Sequence, residues 1–507
     1  MKAITRVLDS MTMYRVVLYY LIALNAVGLV LAALGKLQFG FFALFLALVI
    51  LLTTCWGMSK LFAYTFRAYT GGESSIITAL ILSLIITPML TWSSLAFVFI
   101  AGLLAIGTKY LLVIHRVHIF NPAAIAVVLT ALFAGQAASW WVGGAAMLPF
   151  VLVGGVLVVI KLRRWMLVTS FLVVAFLLTC ILGIGSGHLG SNLQGLVIQS
   201  PFFFFAFVML TEPMTLPARL KHQGWYAVLV GLLFPPQVHF GGFFLTPEIA
   251  LVVGNAFAFV TSPRVRIRPV LNQRQNAYGP NMADFVFAVD RPFTYEPGQY
   301  MEWTLPHKRV DSRGNRRYFT LASSPTEPNL RLGISLPQGG SSFKRALVAL
   351  PQHGKRSALS ATQLGGDFVM PKDAGIKLVF LAGGIGITPF RSMIKYLLDR
   401  HETRDIILLY SEYQRSRIAY ANIFEEARGA FGLKVVYFLT EETNRVDDSR
   451  YRYGFITDVA IKEEVRDYSS RQFYVAGSSP FLSAMTGHLQ QIGVERNRIR
   501  KDYFPGC

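Results

Sequence analysis

IKLVFLAGGIGITPFRSMIKYLLDR, residues 376–400, decides the fold of the C-terminal part. An apolar strand runs into Gly383-Gly384-Ile385-Gly386-Ile387-Thr388-Pro389 and then into a helical pattern. Glycines at the carboxyl end of a strand let a dinucleotide lie against the backbone. Thr388 reads as the N-cap of that helix and Pro389 as its first residue. Downstream, DIILLYS (405–411), IAYANIFEEARGA (418–430), KVVYFLT (434–440) and RQFYVAG (471–477) alternate strand and helix signals. Such alternation predicts a parallel sheet. Gly477-Ser478-Ser479-Pro480 opens a second helix directly after a strand.

Working upstream, residues 270–370 show short strands broken by turn signals, the spacing of a small β-barrel. Arg317-Tyr318-Phe319-Thr320, followed by Leu321-Ala322-Ser323-Ser324-Pro325, lies among them. Arg317 offers forked donors to a pyrophosphate. Phe319 offers a ring to cover an isoalloxazine, and Thr320 a hydroxyl to meet flavin N5, which makes Thr320 the candidate catalytic residue. Gly339-Gly340-Ser341-Ser342 precedes the helix-like FKRALVAL. Gly340, Ser341 and Ser342 thus present backbone N–H groups to phosphate.

The remaining half obeys different physics. Residues 1–268 hold 16 Lys and Arg but only four acids, Asp9, Glu73, Glu212 and Glu248; residues 269–507 hold 32 basic and 24 acidic residues. The Pro- and Arg-rich run 261–269 marks the boundary. Ten apolar runs precede it: 14–35, 39–56, 75–88, 93–114, 121–136, 141–160, 165–185, 197–211, 225–238 and 242–261. Most are long enough to span a hydrocarbon core, which needs about 20 residues of helix. Four (75–88, 121–136, 197–211, 225–238) are nearer half-helices. With the N-terminus inside, fifteen basic residues fall on inner segments and only Lys36 outside. That asymmetry predicts ten crossings with both ends cytoplasmic. Much of this half's excess charge therefore reads as topology and contact with anionic lipid head groups rather than a nucleic-acid surface.

Pro88 and Pro213 are 125 residues apart, and so are Pro122 and Pro247. Five runs per half at one offset predict an inverted repeat whose broken helices meet near the midplane. Glu212 and Glu248 sit at two of the breaks, where an acid is costly unless functional or paired. Haem is disfavoured, because no two apolar runs present stacked histidines. Cys55 and Cys180 read as core residues. Three cysteines in the chain exclude a Cys₄ iron–sulfur cluster and a disulfide scaffold. No metal site is expected.

The C-terminal 235 residues or so resemble the ferredoxin–NADP reductase family. Arg317, Phe319 and Thr320 match its flavin motif, and Gly383, Gly384, Gly386, Thr388 and Pro389 match its nicotinamide motif. Pro297-Gly298-Gln299-Tyr300 is similar to its barrel strand. The resemblance implies non-covalent FAD reduced by NAD(P)H. Two departures stand out. Ala476-Gly477-Ser478 replaces the family's C-G-P, and the chain ends Tyr503-Phe504-Pro505-Gly506-Cys507, where Phe504 or Tyr503 takes the place of a terminal flavin-covering aromatic. Ser411-Glu412 followed by Arg415 and Arg417 supports either nicotinamide: an acid for a ribose diol, or arginines for a 2′-phosphate.

The N-terminal half is similar to the B subunit of the sodium-translocating NADH:quinone reductase and the D subunit of the Rnf complex. The carrying residues are 118–124 and 209–215. Those subunits have ten helices and attach FMN to the threonine of S-G-A-T, which is absent here, so a second flavin would be non-covalent.

The expectation is a multi-domain chain. A polytopic α-helical membrane domain (1–268, ten helices, inverted 5+5 repeat) precedes a β-barrel FAD-binding domain (269–373) and an α/β parallel-sheet NAD(P)-binding domain (374–507). It would be multi-pass in the plasma (inner) membrane with its soluble domains cytoplasmic. Electrons would pass from NAD(P)H through FAD to a membrane quinone or flavin. The alternatives are one subunit of an ion-translocating complex with partner subunits, and a solute channel or transporter under redox control.

Overall fold

The computed structural model describes residues 11–66, 72–114, 117–262, 265–275, 282–311, 314–336, 340–352 and 357–502. It divides into two compact units, 1–262 and 263–505.

In the first unit every apolar run carries helix. Among the described residues, four helices are long and apolar enough to cross a membrane: Met13–Ala33, Phe41–Thr65, Trp92–Leu111 and Trp165–Ser186. Leu189–Gln199 and Phe202–Met209 make a fifth if taken together across a 57° bend. Against an expectation of ten crossings, four or five helices thus meet the length requirement. The others are shorter, and proline is the physical reason. Pro122 and Pro247 occupy the first positions of Pro122–Ala134 and Pro247–Thr261, and Pro149 lies in the first turn of Leu148–Leu162. A proline fits there because its missing N–H would have no helical partner. Pro88 follows the helix Gly72–Ile85, and Pro213 begins the short turn Pro213–Thr215. All four prolines at the common offset therefore mark helix ends.

Helices in this unit approach closely at glycine. The Gly155 position faces the Phe207 ring and Gly154 the Tyr20 ring, while the Tyr20 hydroxyl donates to the Val151 carbonyl at 2.9 Å. Backbone meets backbone at Gly143, where a Cβ would lie 2.5 Å from the Ser200 carbonyl carbon and 2.6 Å from the Pro201 nitrogen.

The second unit contains two three-stranded antiparallel sheets. Tyr300–Thr304 lies between Arg316–Thr320 and Ser360–Gly365, and Met282–Ala288 lies between Val270–Gln275 and Leu330–Ser335. Phe285, Phe287, Trp303, Leu332 and Phe343 fill their common core. Ile267 already pairs with Ala361, its N–H donating at 2.9 Å, so this sheet structure starts before Arg268. A six-stranded parallel sheet follows, in the order Tyr451–Tyr453, Lys434–Leu439, Ile406–Glu412, Leu378–Gly383, Gln472–Ala476, Ile499–Asp502. Its central strands are apolar runs buried on both faces, as a helix-covered parallel sheet requires.

Gly143→Ala should destabilise the chain by about 1–3 kcal/mol, the usual cost of overpacking. Thermal melting in detergent measures this, and an unchanged melting temperature would mean that the backbone at Ser200-Pro201 yields freely.

Candidate active site

The parallel sheet runs outward in chain order on one side of Leu378–Gly383, and Gln472–Ala476 lies on the other. The order therefore reverses between these two strands, and ligands of open α/β sheets bind at that crevice. Both predicted glycine loops leave the sheet there. At Gly386 a Cβ would lie 2.3 Å from the Ala476 carbonyl oxygen and 2.6 Å from the Gly477 nitrogen, so only a hydrogen fits between the loops. Gly383 faces the Phe481 ring, and Gly384 takes φ +56°. Ser478 caps the helix Ser479–Gln491, its side chain accepting from Phe481 N–H at 3.4 Å.

Thr388 departs from expectation. Residues Gly384–Ile387 form a tight turn that runs straight into the helix Thr388–Arg400. Thr388 is thus inside the helix rather than its N-cap, and its hydroxyl donates back to the Ile385 carbonyl at 3.1 Å. Pro389 still falls in the first turn.

Glu412 and Arg417 are partners rather than rivals. The Glu412 carboxylate is buried behind the first glycine loop, accepting from Tyr413 N–H at 3.2 Å and Tyr410 hydroxyl at 3.4 Å. Arg417 lies 3.9 Å from it and rides 4.7 Å over the Tyr413 ring. Burial holds the Glu412 carboxyl above the ordinary range, against the pull of the Tyr413 N–H and Arg417.

On the strand Arg316–Thr320 the predicted flavin residues separate by alternation. Arg317 lies 5.5 Å over the Phe343 ring and 3.8 Å from Asp311, and Phe319 also packs on Phe343 with centroids 5.9 Å apart. Ser341 caps the helix Ser342–Val348, accepting from Lys344 N–H at 3.3 Å. Arg317, Ser341 and Ser342 are therefore brought together. Ser342 N–H, however, donates to Asp311 at 2.8 Å, and its hydroxyl oxygen accepts from Asp311 N–H at 2.9 Å. Gly340 is engaged through its carbonyl, which accepts from Arg345. Beside them lies an open surface pocket of about 370 Å³ lined by His307, Lys308, Arg309, Ser342, Arg345 and Ala346. Three cations and an imidazole make this surface attractive to an anionic group. The basic residues of this wall were not anticipated, because 307–309 sit in a connection without a motif.

On the opposite face the Thr320 hydroxyl donates to Asp502 at 3.5 Å, across 182 residues of chain. Asp502 is buried, which pushes its carboxyl up to about 7, against the Thr320 hydrogen bond. Sequence reading missed this partner. Phe504 and Tyr503, the expected flavin-covering aromatics, lie outside the described residues.

Ser323 is fully buried and occupied within the protein. Its hydroxyl meets the Tyr295 hydroxyl at 2.9 Å and accepts from Arg331 N–H at 3.1 Å, and its carbonyl accepts from the Ser392 hydroxyl at 2.6 Å. Next to it Arg391 forms a two-pronged pair with Glu327, 2.8 Å for the Nη2–Oε1 arm, and donates to the Ala322 carbonyl at 2.9 Å.

In the helical unit both acids at the breaks have partners. Glu212 accepts from Asn121 Nδ2 at 2.7 Å, and Asn121 N–H donates to Asn255 Oδ1 at 2.8 Å. Glu248 is buried and accepts from Trp140 Nε1 at 2.9 Å. Among the described residues no group of three His, Cys, Asp or Glu side chains is arranged to hold a metal.

A switch-point crevice between two glycine loops, preceded by an antiparallel domain, is the architecture of a dinucleotide-binding oxidoreductase module. Residues 380–486 match the family described as oxidoreductase NAD-binding domain. The chain is similar to the glycine betaine monooxygenase reductase subunit of Pseudomonas aeruginosa, 24% identical over 230 residues, 43% of this chain and 59% of the relative. It is similar to the flavohemoprotein of Candida albicans, 27% identical over 224 residues, 41% and 51% of the two chains. A crystal structure of an Amycolatopsis cytochrome P450 reductase aligns over 48% of this chain and 71% of that one, at 23% identity and TM-score 0.42. The chain thus spans little more than half the length of the two curated relatives.

Gly386→Ala should force the two loops apart and weaken dinucleotide binding at least about tenfold, in line with an overpacking cost of roughly 1–3 kcal/mol, while bound flavin is retained; equilibrium titration checks this. Asp502 gives a pH prediction for the flavin-free protein. With its pKa raised from 3.8 to about 7, the native state holds a proton the unfolded state has lost. Stability should therefore fall as pH rises from about 4 to 7 and level off above. Asp502→Asn should flatten that slope in denaturant titrations.

Proposed function

We propose that the protein is a membrane-bound NAD(P)H oxidoreductase that passes electrons through FAD to a quinone or flavin held by its own helical unit. The observation that carries this reading is the joining, in one chain, of a switch-point module to a unit with four or five membrane-length helices. FAD, when bound, supplies the conversion from two-electron hydride acceptance to electron release toward the acceptor. Arg317, Lys308, Arg309 and Arg345 would hold its diphosphate, and Phe319 packs beside Phe343. Thr320 would offer its hydroxyl to the flavin, and Asp502 accepts from that hydroxyl and holds a proton near neutral pH. Gly383, Gly384, Gly386, Gly477 and Ser478 seat the dinucleotide.

The finer reading follows the resemblance to the sodium-translocating reductase B subunit and the Rnf D subunit. It is a ten-run inverted repeat in the plasma (inner) membrane, with both termini and the module cytoplasmic. A second, non-covalent flavin belongs to the helical unit on this reading. Basic residues gathered on one set of connections support the orientation. The relatives named as reductase subunits of monooxygenases suggest the competing acceptor, a separate oxygenase protein.

The test is purification of the whole chain in detergent, release of its chromophores by denaturation, and their identification by mass spectrometry. FAD should be found at about one per chain, and NADH or NADPH should drive reduction of a short-chain quinone. A colourless protein, or one that reduces only artificial dyes, overturns the proposal.

A further inference from the structure

Hydride transfer requires the dinucleotide loop and the flavin strand to hold one separation and one angle, because misplacement by about 1 Å can cost 10²-fold in rate. The two elements belong to different sheets of the second unit, so something has to fix one against the other. The strand Arg316–Thr320 continues into Leu321-Ala322-Ser323-Ser324, and the glycine loop continues into the helix Thr388–Arg400. Between these two continuations lies a buried polar junction.

Arg391, 3% exposed and three residues beyond Thr388, sits at its centre. Both its terminal nitrogens bond the Glu327 carboxylate, and one also donates to the Ala322 carbonyl, two residues beyond Thr320. Ser392 donates to the next carbonyl, Ser323, at 2.6 Å. Glu327 is itself tied to the same loop, accepting from Ser324 N–H at 2.6 Å. On the other side Arg391 lies 5.6 Å over the Tyr420 ring, whose hydroxyl donates to buried Asp284 at 3.1 Å, and Asp284 pairs with Arg331. Gly333 leaves room for this convergence: a Cβ there would stand 2.6 Å from the Tyr420 hydroxyl and 2.7 Å from Thr388 Cγ2.

We infer that the Arg391–Glu327 pair is a positioning clasp that sets the separation between the flavin strand and the dinucleotide loop, and with it the rate of hydride transfer, without contributing to the affinity of either ligand. This rests on the proposed function. A bidentate guanidinium–carboxylate pair fixes angle as well as distance, whereas lysine in place of arginine would hold only a point charge. The paired carbonyls of Ala322 and Ser323 extend the grip to the backbone that leads directly from Thr320.

The test uses the whole chain in detergent with Glu327→Gln, Arg391→Met and Arg391→Lys. Flavin content and melting temperature are measured first, then flavin reduction by NAD(P)H in single turnovers, the saturation constant for dinucleotide, and the long-wavelength charge-transfer absorbance of the complex. Hydrogen exchange at residues 322–327 is followed in the flavin-free protein. The expected result is retained flavin, a saturation constant within about twofold, and reduction slowed at least about tenfold in Glu327→Gln and Arg391→Met. Weakened charge-transfer absorbance, faster exchange at 322–327 and partial rescue by Arg391→Lys should accompany it. Unchanged reduction rates or unchanged exchange overturn the inference, and so does a loss of flavin together with the melting temperature, since that assigns the pair to folding alone. If the unsubstituted chain binds flavin but NAD(P)H does not reduce it, the proposed function itself fails, and this control separates the two failures.

Discussion

One steric constraint underlies the chemistry of the C-terminal unit: no atom larger than hydrogen fits between Gly386 and the backbone of Ala476-Gly477. Two strands that are distant in the chain but adjacent in the sheet release their loops at the same edge. The loops touch through backbone at Gly386 and through the Phe481 ring at Gly383. Side chains at these glycines would fill the space a dinucleotide diphosphate needs. The parallel sheet, its reversal of strand order and the helices that cover it all serve to bring those glycines together.

How much of this was legible depended on how local the signal was. The glycine loops and Arg317-Tyr318-Phe319-Thr320 were readable because strand, turn and helix follow one another within a few residues. The helix Thr388–Arg400 was readable too, yet the role of Thr388 was not. A tight turn over Gly384–Ile387 supplied the helix start, and the hydroxyl turned to Ile385 instead. Asp502, Asp311, Glu327 and Arg391 were invisible as site residues, since each gains its meaning from a partner far along the chain. Glu412 and Arg417 looked like alternatives for one ligand group because sequence gives no side-chain direction; in space they form a pair. Basic residues at 307–309 belonged to no motif and were found only as the wall of a surface pocket.

The helical unit shows the same division. Apolar runs announced where helix would form, but proline decided how long each helix would be, so fewer reach membrane length than there are runs. Acids at the proline breaks accept hydrogen bonds from neutral donors, Asn121 for Glu212 and Trp140 for Glu248, and Glu212 also feels the charge of Lys109. The offset of 125 residues placed the breaks, and the contacts formed across them come from 91 and 108 residues away.

The Ile267–Ala361 pairing has a consequence for how such chains are assembled and taken apart. The antiparallel pairing begins inside the arginine-rich stretch that, by composition, looks like a mere spacer. A gene fusion or a recombinant excision that cuts after Arg268 would strip Ala361 of its neighbour and leave a bare edge. The workable seam lies a few codons upstream, in what looks like the tail of the last helix.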